Sequence, residues 1–255
     1  NGERILIDWN KEAAGYLDLD FISDCQQDLL IVFGEHFDDE GRVPQYIGSR
    51  DFSIEFRADE GNNKFLGMMR RIAGRYLEIR YEKPIKIEYL GIRPVVYPLN
   101  FVERRFKSDL HKRIYDTSAY TLECCMHEHY EDCPWREQAL YTLDSRNEML
   151  AAYCAFDDFK FIRSNLSLIS HGVREDGLLC ICYPSGMDFP IPFFSLAYAI
   201  QLVEYVDRSG DVSILNETFD AVSRVMNTFI SSYEALVNAG ISGGERQEYA
   251  SYVKD

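Results

Sequence analysis

No stretch of this sequence is long and apolar enough to span a bilayer. The longest hydrophobic runs, such as 193–203, fall well short of the roughly 20 residues a crossing helix needs. No basic segment precedes an apolar one in the manner of a signal sequence, and nothing here spans a membrane. Basic residues are also scarce, with 27 Lys and Arg against 42 Asp and Glu and a net charge of -15. Such a field repels nucleic acid and anionic membrane surfaces, and a neutral substrate suits it better. The seven cysteines are odd in number, and Cys124-Cys125 and Cys180/Cys182 stand too close together for the disulfide framework of a small secreted domain. They read as mostly reduced and buried, which suits a bacterial cytoplasm or periplasm. There is no nucleophile-elbow pattern, no repeat at a fixed period, and no lysine-serine context after Gly243-Gly244 to make a phosphate loop.

What the chain does have is core-forming capacity. At 255 residues, 46% hydrophobic and 14% aromatic, it can build one large domain or two smaller ones. From Arg4 to about Leu99 the pattern alternates: Ile5, Ile7 and Trp9, then 16–21, 29–33, 52–56, 76–81 and 85–89. This predicts an antiparallel β-sandwich over 1–99, with Leu77, Ile79 and Tyr81 inward and Glu78, Arg80, Lys86 and Glu88 on a solvated face. After Pro98 the period changes, which makes 100–255 helical. Phe106, Leu110 and Ile114 start one helix, and Thr117 or Ser118 can cap a second. Pro190 and Pro192 lead into a helix reaching about Arg208. Gly210 ends it, and Asp211 caps a last helix that buries Phe219, Val222, Met226, Phe229 and Tyr233 and stops near Gly240. Strand alternation returns only at 178–183.

The chemistry concentrates in the segment DCPWREQALYTLD, from Asp132 to Asp144. With Asp132 as N-cap and Pro134 in the first turn, 135–156 reads as an amphipathic helix. Ala139, Leu143, Leu150 and Cys154 fall on one face, and Glu137, Tyr141, Asp144 and Glu148 on the other. An acidic stripe by itself is commonly a solvated face. It also meets the needs of glycosidic cleavage: a carboxylic acid at the leaving oxygen, a second carboxylate, and aromatic surface such as Trp135 or Tyr141 against the C–H groups of a pyranose.

The longer run HYEDCPWREQALYTLDSR resembles a segment of the α-L-rhamnosidases, glycoside hydrolase family 78, where Asp, Cys, Pro, Arg and Glu open the first catalytic helix of an (α/α)6 barrel. RYLEIRYEKPIKIEYLGIRPVVYPL resembles the end of that family's β-sandwich, GYLDLDFISD and VFGEHFDDEGRV its preceding strands, and SGDVSIL a later barrel hairpin. The resemblance implies a multidomain α and β chain, an antiparallel β-sandwich followed by an (α/α)6 barrel. It makes Glu137 the general acid, places Asp132 and Asp144 on the sugar hydroxyls, and makes Arg136, Tyr141 and Trp135 substrate-binding. It implies an inverting enzyme for terminal α-L-rhamnosides with no cofactor or metal, a rhamnose-containing glycoside or oligosaccharide as partner, and room for a homo-oligomer. Leu140-Tyr141 and Leu143-Asp144 depart from the family's Gly-Trp and Gly-Asp, which changes the expected pocket shape.

Twelve helices of about 11 residues with loops of about 5 need roughly 190 residues or more, which is more than follow Glu103. The barrel is therefore expected to be incomplete, with the general base outside this chain. Glu245 and Glu248 have nothing around them to recommend either. The competing reading is a non-catalytic carbohydrate-binding or structural module. Cys124, Cys125, His127, His129 and Cys133 cluster, but their spacing fits no zinc pattern. Packing accounts for the cysteines better, and His129 is expected to support the motif from behind.

Overall fold

The computed structural model describes residues 3–238, so Gly240, Gly243, Gly244, Glu245 and Glu248 lie outside the described residues. The chain divides into two compact units: Asn1–Pro98 with Glu123–His127 and Cys133–Gln138, and Leu99–Leu122 with Glu128–Asp132 and Ala139–Asp255.

The first unit is built on strand β1 (Glu3–Ser23). It is followed by β2 (Gln27–Gly34), β3 (Tyr46–Ile47), β4 (Arg50–Asp51), β5 (Ser53–Ala58), β6 (Gly61–Leu66), β7 (Ile72–Tyr81) and β8 (Ile85–Pro94). Pairing is antiparallel throughout. The order is β5-β2-β7-β1-β6 with β8 also on β1, and β3-β4 forms a separate two-stranded ribbon. One long strand replaces the two expected before Asp24. Its register on β7 slips between Asp8 and Ala13, where Asn10 takes φ 63° and donates its N–H to Asp8 Oδ1 at 2.7 Å. This irregularity bends β1, so that its first part pairs with β7 and its last part with β6 and β8. Gly15 sits at the changeover, opposite both Ile72 and Pro94. A Cβ there would lie 2.1 Å from the Arg93 carbonyl oxygen, which no side chain tolerates.

Leu17, Leu19, Phe21, Leu29, Ile31, Leu77 and Ile79 fill the core, as alternation predicts, and Trp135 joins them. Glu78 corrects the expected solvated face, because its side chain is fully buried. It accepts from Arg80 Nε at 2.7 Å and Val43 N at 3.0 Å, with Arg4 Nη1 at 3.4 Å. The β7 face turned away from Leu77 is thus closed by the 35–45 connection, and a buried carboxylate survives there because donors surround it.

The second unit holds α1 (Asp109–Cys124), α2 (Thr142–Ala155), α3 (Phe159–Ser170), α4 (Pro192–Ser209) and α5 (Leu215–Asn238). Several helix expectations need correction. Thr117 and Ser118 cap nothing, since α1 runs through them. Residues 178–183 make only isolated bridges, Val173 to Leu179 and Tyr141 to Cys182. Asp158 caps α3 by accepting from Lys160 N and Phe161 N. Gly210, at φ 72°, does end α4, and Asp211 does cap the next turn. On α5 the inward face is Thr218, Ala221 and Val225 with Ile214 just before it, whereas Phe219, Met226 and Tyr233 are exposed. The expected face is displaced by one residue. Of the seven cysteines, Cys124, Cys125 and Cys182 are buried and Cys154 is exposed, so burial is less general than expected. Among the described residues, no helix is long and apolar enough to cross a membrane.

Candidate active site

The segment 132–141 is a loop, not the start of a helix, and α2 begins only at Thr142. Asp132 therefore does not cap a helix. Its N–H donates to the Ala139 carbonyl at 3.1 Å, and its Oδ1 accepts from Ala139 N at 3.2 Å, closing the base of the loop. Inside, Glu137 N approaches Cys133 Sγ at 3.3 Å, Gln138 N donates to the Cys133 carbonyl at 3.2 Å, and Gln138 takes φ 55°. A residue in the left-handed region cannot propagate an α-helix. The expected single face of Glu137, Tyr141, Asp144 and Glu148 is consequently broken, and only Asp144 and Glu148 share a helix. The inward face of α2 is Thr142, Ser145, Met149, Ala152 and Ala155, not the stripe ending at Cys154.

Trp135, Arg136 and Glu137 belong to the first unit. Trp135 is 6% exposed, packing on Phe52 at 4.7 Å and His36 at 5.5 Å between ring centroids. Gly34 makes this possible, since a Cβ there would meet the indole at 2.9 Å. Anchored in this way, the loop presents Glu137 to two guanidiniums: Arg50 Nη1 lies 3.4 Å and Arg136 Nη2 3.6 Å from its Oε1. Arg50 also donates to the Arg136 carbonyl at 3.2 Å. Nearby, burial pushes the Glu35 carboxyl up against the opposing charges of His36 and Arg136, and burial with the Glu35 charge pushes Glu12 up to about 8. Reading the loop alone could not reveal Arg50, Glu35 or His36, because they arrive from distant strands and connections with no shared motif.

Asp132 and Asp144 belong to the second unit, together with Tyr141. Tyr141 precedes α2 without capping it through its side chain, and its backbone bridges Cys182. Asp144 lies in the first turn of α2, where the helix dipole favours a carboxylate. Glu148 follows one turn later. Burial, then the charges of Asp144, Asp132 and Glu131, push its carboxyl up to about 9. Its Oε2 is buried with no hydrogen-bond partner among the described residues. Glu148 therefore retains a proton at neutral pH, with Asp144, Asp132 and Glu131 as its acidic neighbours. Burial, then the charge of Glu148, likewise pushes the Tyr130 hydroxyl well above its ordinary value. His129 Nδ1 lies 2.7 Å from the Tyr130 carbonyl. Among the described residues, no group of three or more His, Cys, Asp or Glu is arranged to hold a metal ion.

Several solved structures share the fold. A family 78 rhamnosidase of Bacillus sp. GL1 superposes with a TM-score of 0.80 at 22% identity, over 89% of this chain and 24% of the other. A rhamnosidase from Klebsiella oxytoca with rhamnose bound gives 0.77 at 20% identity, over 89% of this chain and 48% of the other. The Streptomyces avermitilis α-L-rhamnosidase complexed with L-rhamnose gives 0.71 at 13% identity, over 88% and 22%. This chain therefore spans less than half of each of them. No curated protein matches it. The model of the bacterial alpha-L-rhamnosidase 6 hairpin glycosidase domain matches residues 105–253, more than half of the chain and the whole of the Asp132–Asp144 segment. The chain belongs to the bacterial α-L-rhamnosidase six-hairpin glycosidase family.

Proposed function

We propose that this chain supplies the acid-bearing part of an inverting exo-glycosidase for terminal α-L-rhamnosides. The observation that carries the reading is the sequence DCPWREQALYTLD within the family match, with carboxyls at Asp132, Glu137 and Asp144. Glu137 protonates the glycosidic oxygen, and the Arg50 and Arg136 contacts fix where its Oε1 stands. Asp132 and Asp144 accept hydrogen bonds from sugar hydroxyls, while Arg136, Trp135 and Tyr141 line the substrate. A base outside this chain activates a water on the opposite face of the ring, as inversion demands. The architecture that accompanies this reading is a β-sandwich whose C-terminal part is 1–99, followed from residue 100 by an incomplete (α/α)6 barrel. The two rhamnose-bound relatives support the choice of sugar.

Glu137→Gln in the complete protein tests the assignment. Turnover of an unactivated rhamnoside should fall by about 10²–10⁴, the usual worth of a positioned acid. Near-normal activity removes Glu137 from that role, and sugar binding without any hydrolysis by the unaltered protein favours the carbohydrate-binding module.

A further inference from the structure

Helix α3 places an amide inside its buried stripe. Asn165 stands there with Phe161, Ile162, Leu166 and Ile169 and is 1% exposed. A polar group so buried needs hydrogen-bond partners, and the two ends of this amide find different ones. Oδ1 accepts from Tyr130 N at 2.8 Å, and Nδ2 donates to the Phe161 carbonyl, one turn earlier, at 2.7 Å. An N–H can only donate and a carbonyl only accept, so this pair fixes which way the amide points; a leucine there would supply neither group and an aspartate only the acceptor. The Phe161 ring meets the Tyr130 ring edge-on at 4.8 Å between centroids, and the Tyr130 carbonyl accepts from His129 Nδ1 at 2.7 Å. Tyr130, fully buried, is thereby held at its ring, its N–H and its carbonyl.

Only the buried Glu131 separates Tyr130 from Asp132. On its other side Asp132 is tied to Ala139, donating its N–H to the Ala139 carbonyl and accepting from Ala139 N at Oδ1. The carboxylate that the proposed function sets against sugar hydroxyls is thus fixed between two anchors, and all of these residues belong to the second unit. We infer that Asn165 is a positioning residue for the sugar: by holding the Tyr130 N–H it sets where Asp132 stands when L-rhamnose binds. This inference rests on the reading of Asp132 as a contact of the sugar hydroxyls. A binding group has to be held within about 0.5 Å of its productive place by the residues behind it, so release of Tyr130 lowers affinity for the sugar as well as the stability of the fold.

Calorimetric titration of the complete protein with L-rhamnose tests it. In Asn165→Leu the acceptor is gone, and Kd should rise about tenfold, the effect of one buried donor left unmatched. Asn165→Asp keeps the acceptor for Tyr130 N and loses the donor to Phe161, so its Tm should fall at least as far while Kd stays within about twofold of the unaltered protein. Leu166→Ala, next to it on α3, removes core volume but no side-chain hydrogen bond, and should lower Tm with affinity unchanged. Affinity that falls in step with Tm across the three variants, or that Asn165→Leu leaves intact, overturns the inference. In the unaltered protein, linkage requires the reverse effect: saturation with L-rhamnose should slow hydrogen exchange at the Tyr130 N–H more than at the α3 amides, and equal slowing overturns the inference even if no variant folds. Rhamnose binding that survives Asp132→Ala unchanged removes the reading of Asp132 and this inference with it, whereas binding lost in Asp132→Ala and untouched in Asn165→Leu overturns the inference alone.

Discussion

Two buried carboxylates carry opposite electrostatic solutions. Glu78 is ringed by donors, accepting from Arg80 and the Val43 N–H with Arg4 beside it. Glu78→Ala should therefore strip partners from Arg80 and Val43 and cost about 2–3 kcal/mol in urea unfolding, rather less than for a fully buried pair because Arg80 keeps some solvent. Glu148 has acidic neighbours instead, and its carboxyl is pushed from 4.5 to about 9. Above pH 4.5 the unfolded chain releases this proton while the folded chain keeps it, so the group lowers stability progressively as pH climbs towards 9. Glu148→Gln keeps a neutral group of similar shape and removes that slope. Its Tm should exceed that of the unaltered protein at pH 8 by more than at pH 5, with each kcal/mol worth roughly 2–4 °C in calorimetry. Equal shifts at both pH values would show that Glu148 ionises normally in the folded chain.

At the scale of elements, the strands were legible wherever one face is buried and the other wet. That is why β2, β5, β7 and β8 fall where alternation places them. β1 was read as two strands because WNKEA interrupts its alternation, while the backbone absorbs the interruption through Asn10. Gly15 is the second device that lets β1 serve several partners. Gly15→Ala should cost at least about 2–3 kcal/mol, measured by denaturant unfolding, since the obstacle is backbone and cannot swing aside. α5 misleads for a different reason. Phe219, Val222 and Met226 outshine Thr218, Ala221 and Val225 in hydrophobicity, yet the smaller residues face the interior, as close helix packing allows. In the 255-residue chain, Val225→Ala should destabilise by about 1–2 kcal/mol and Phe219→Ala by less than about 0.5 kcal/mol. Asp132 and Pro134 are good helix-start residues and so predict a helix from Trp135, seven residues before the observed start at Thr142. The positive φ at Gln138 and the burial of Trp135 in the sheet core are long-range outcomes that local propensity does not register.

For the whole molecule, family membership was legible in one short segment, and its chemistry was not legible in composition. A net charge of -15 and a strongly acidic group on and near α2 agree with a neutral sugar as partner. Arg50, a partner of Glu137, comes from about ninety positions away in sequence, so only the folded chain brings the two together. The central claim is an inverting rhamnosidase, and the most direct measurement is proton NMR of the sugar first released from an α-L-rhamnoside by the complete protein. The account predicts that β-L-rhamnose appears first and mutarotates later, with this signal lost in Glu137→Gln. α-L-rhamnose appearing first, or no release of rhamnose at all, would contradict it.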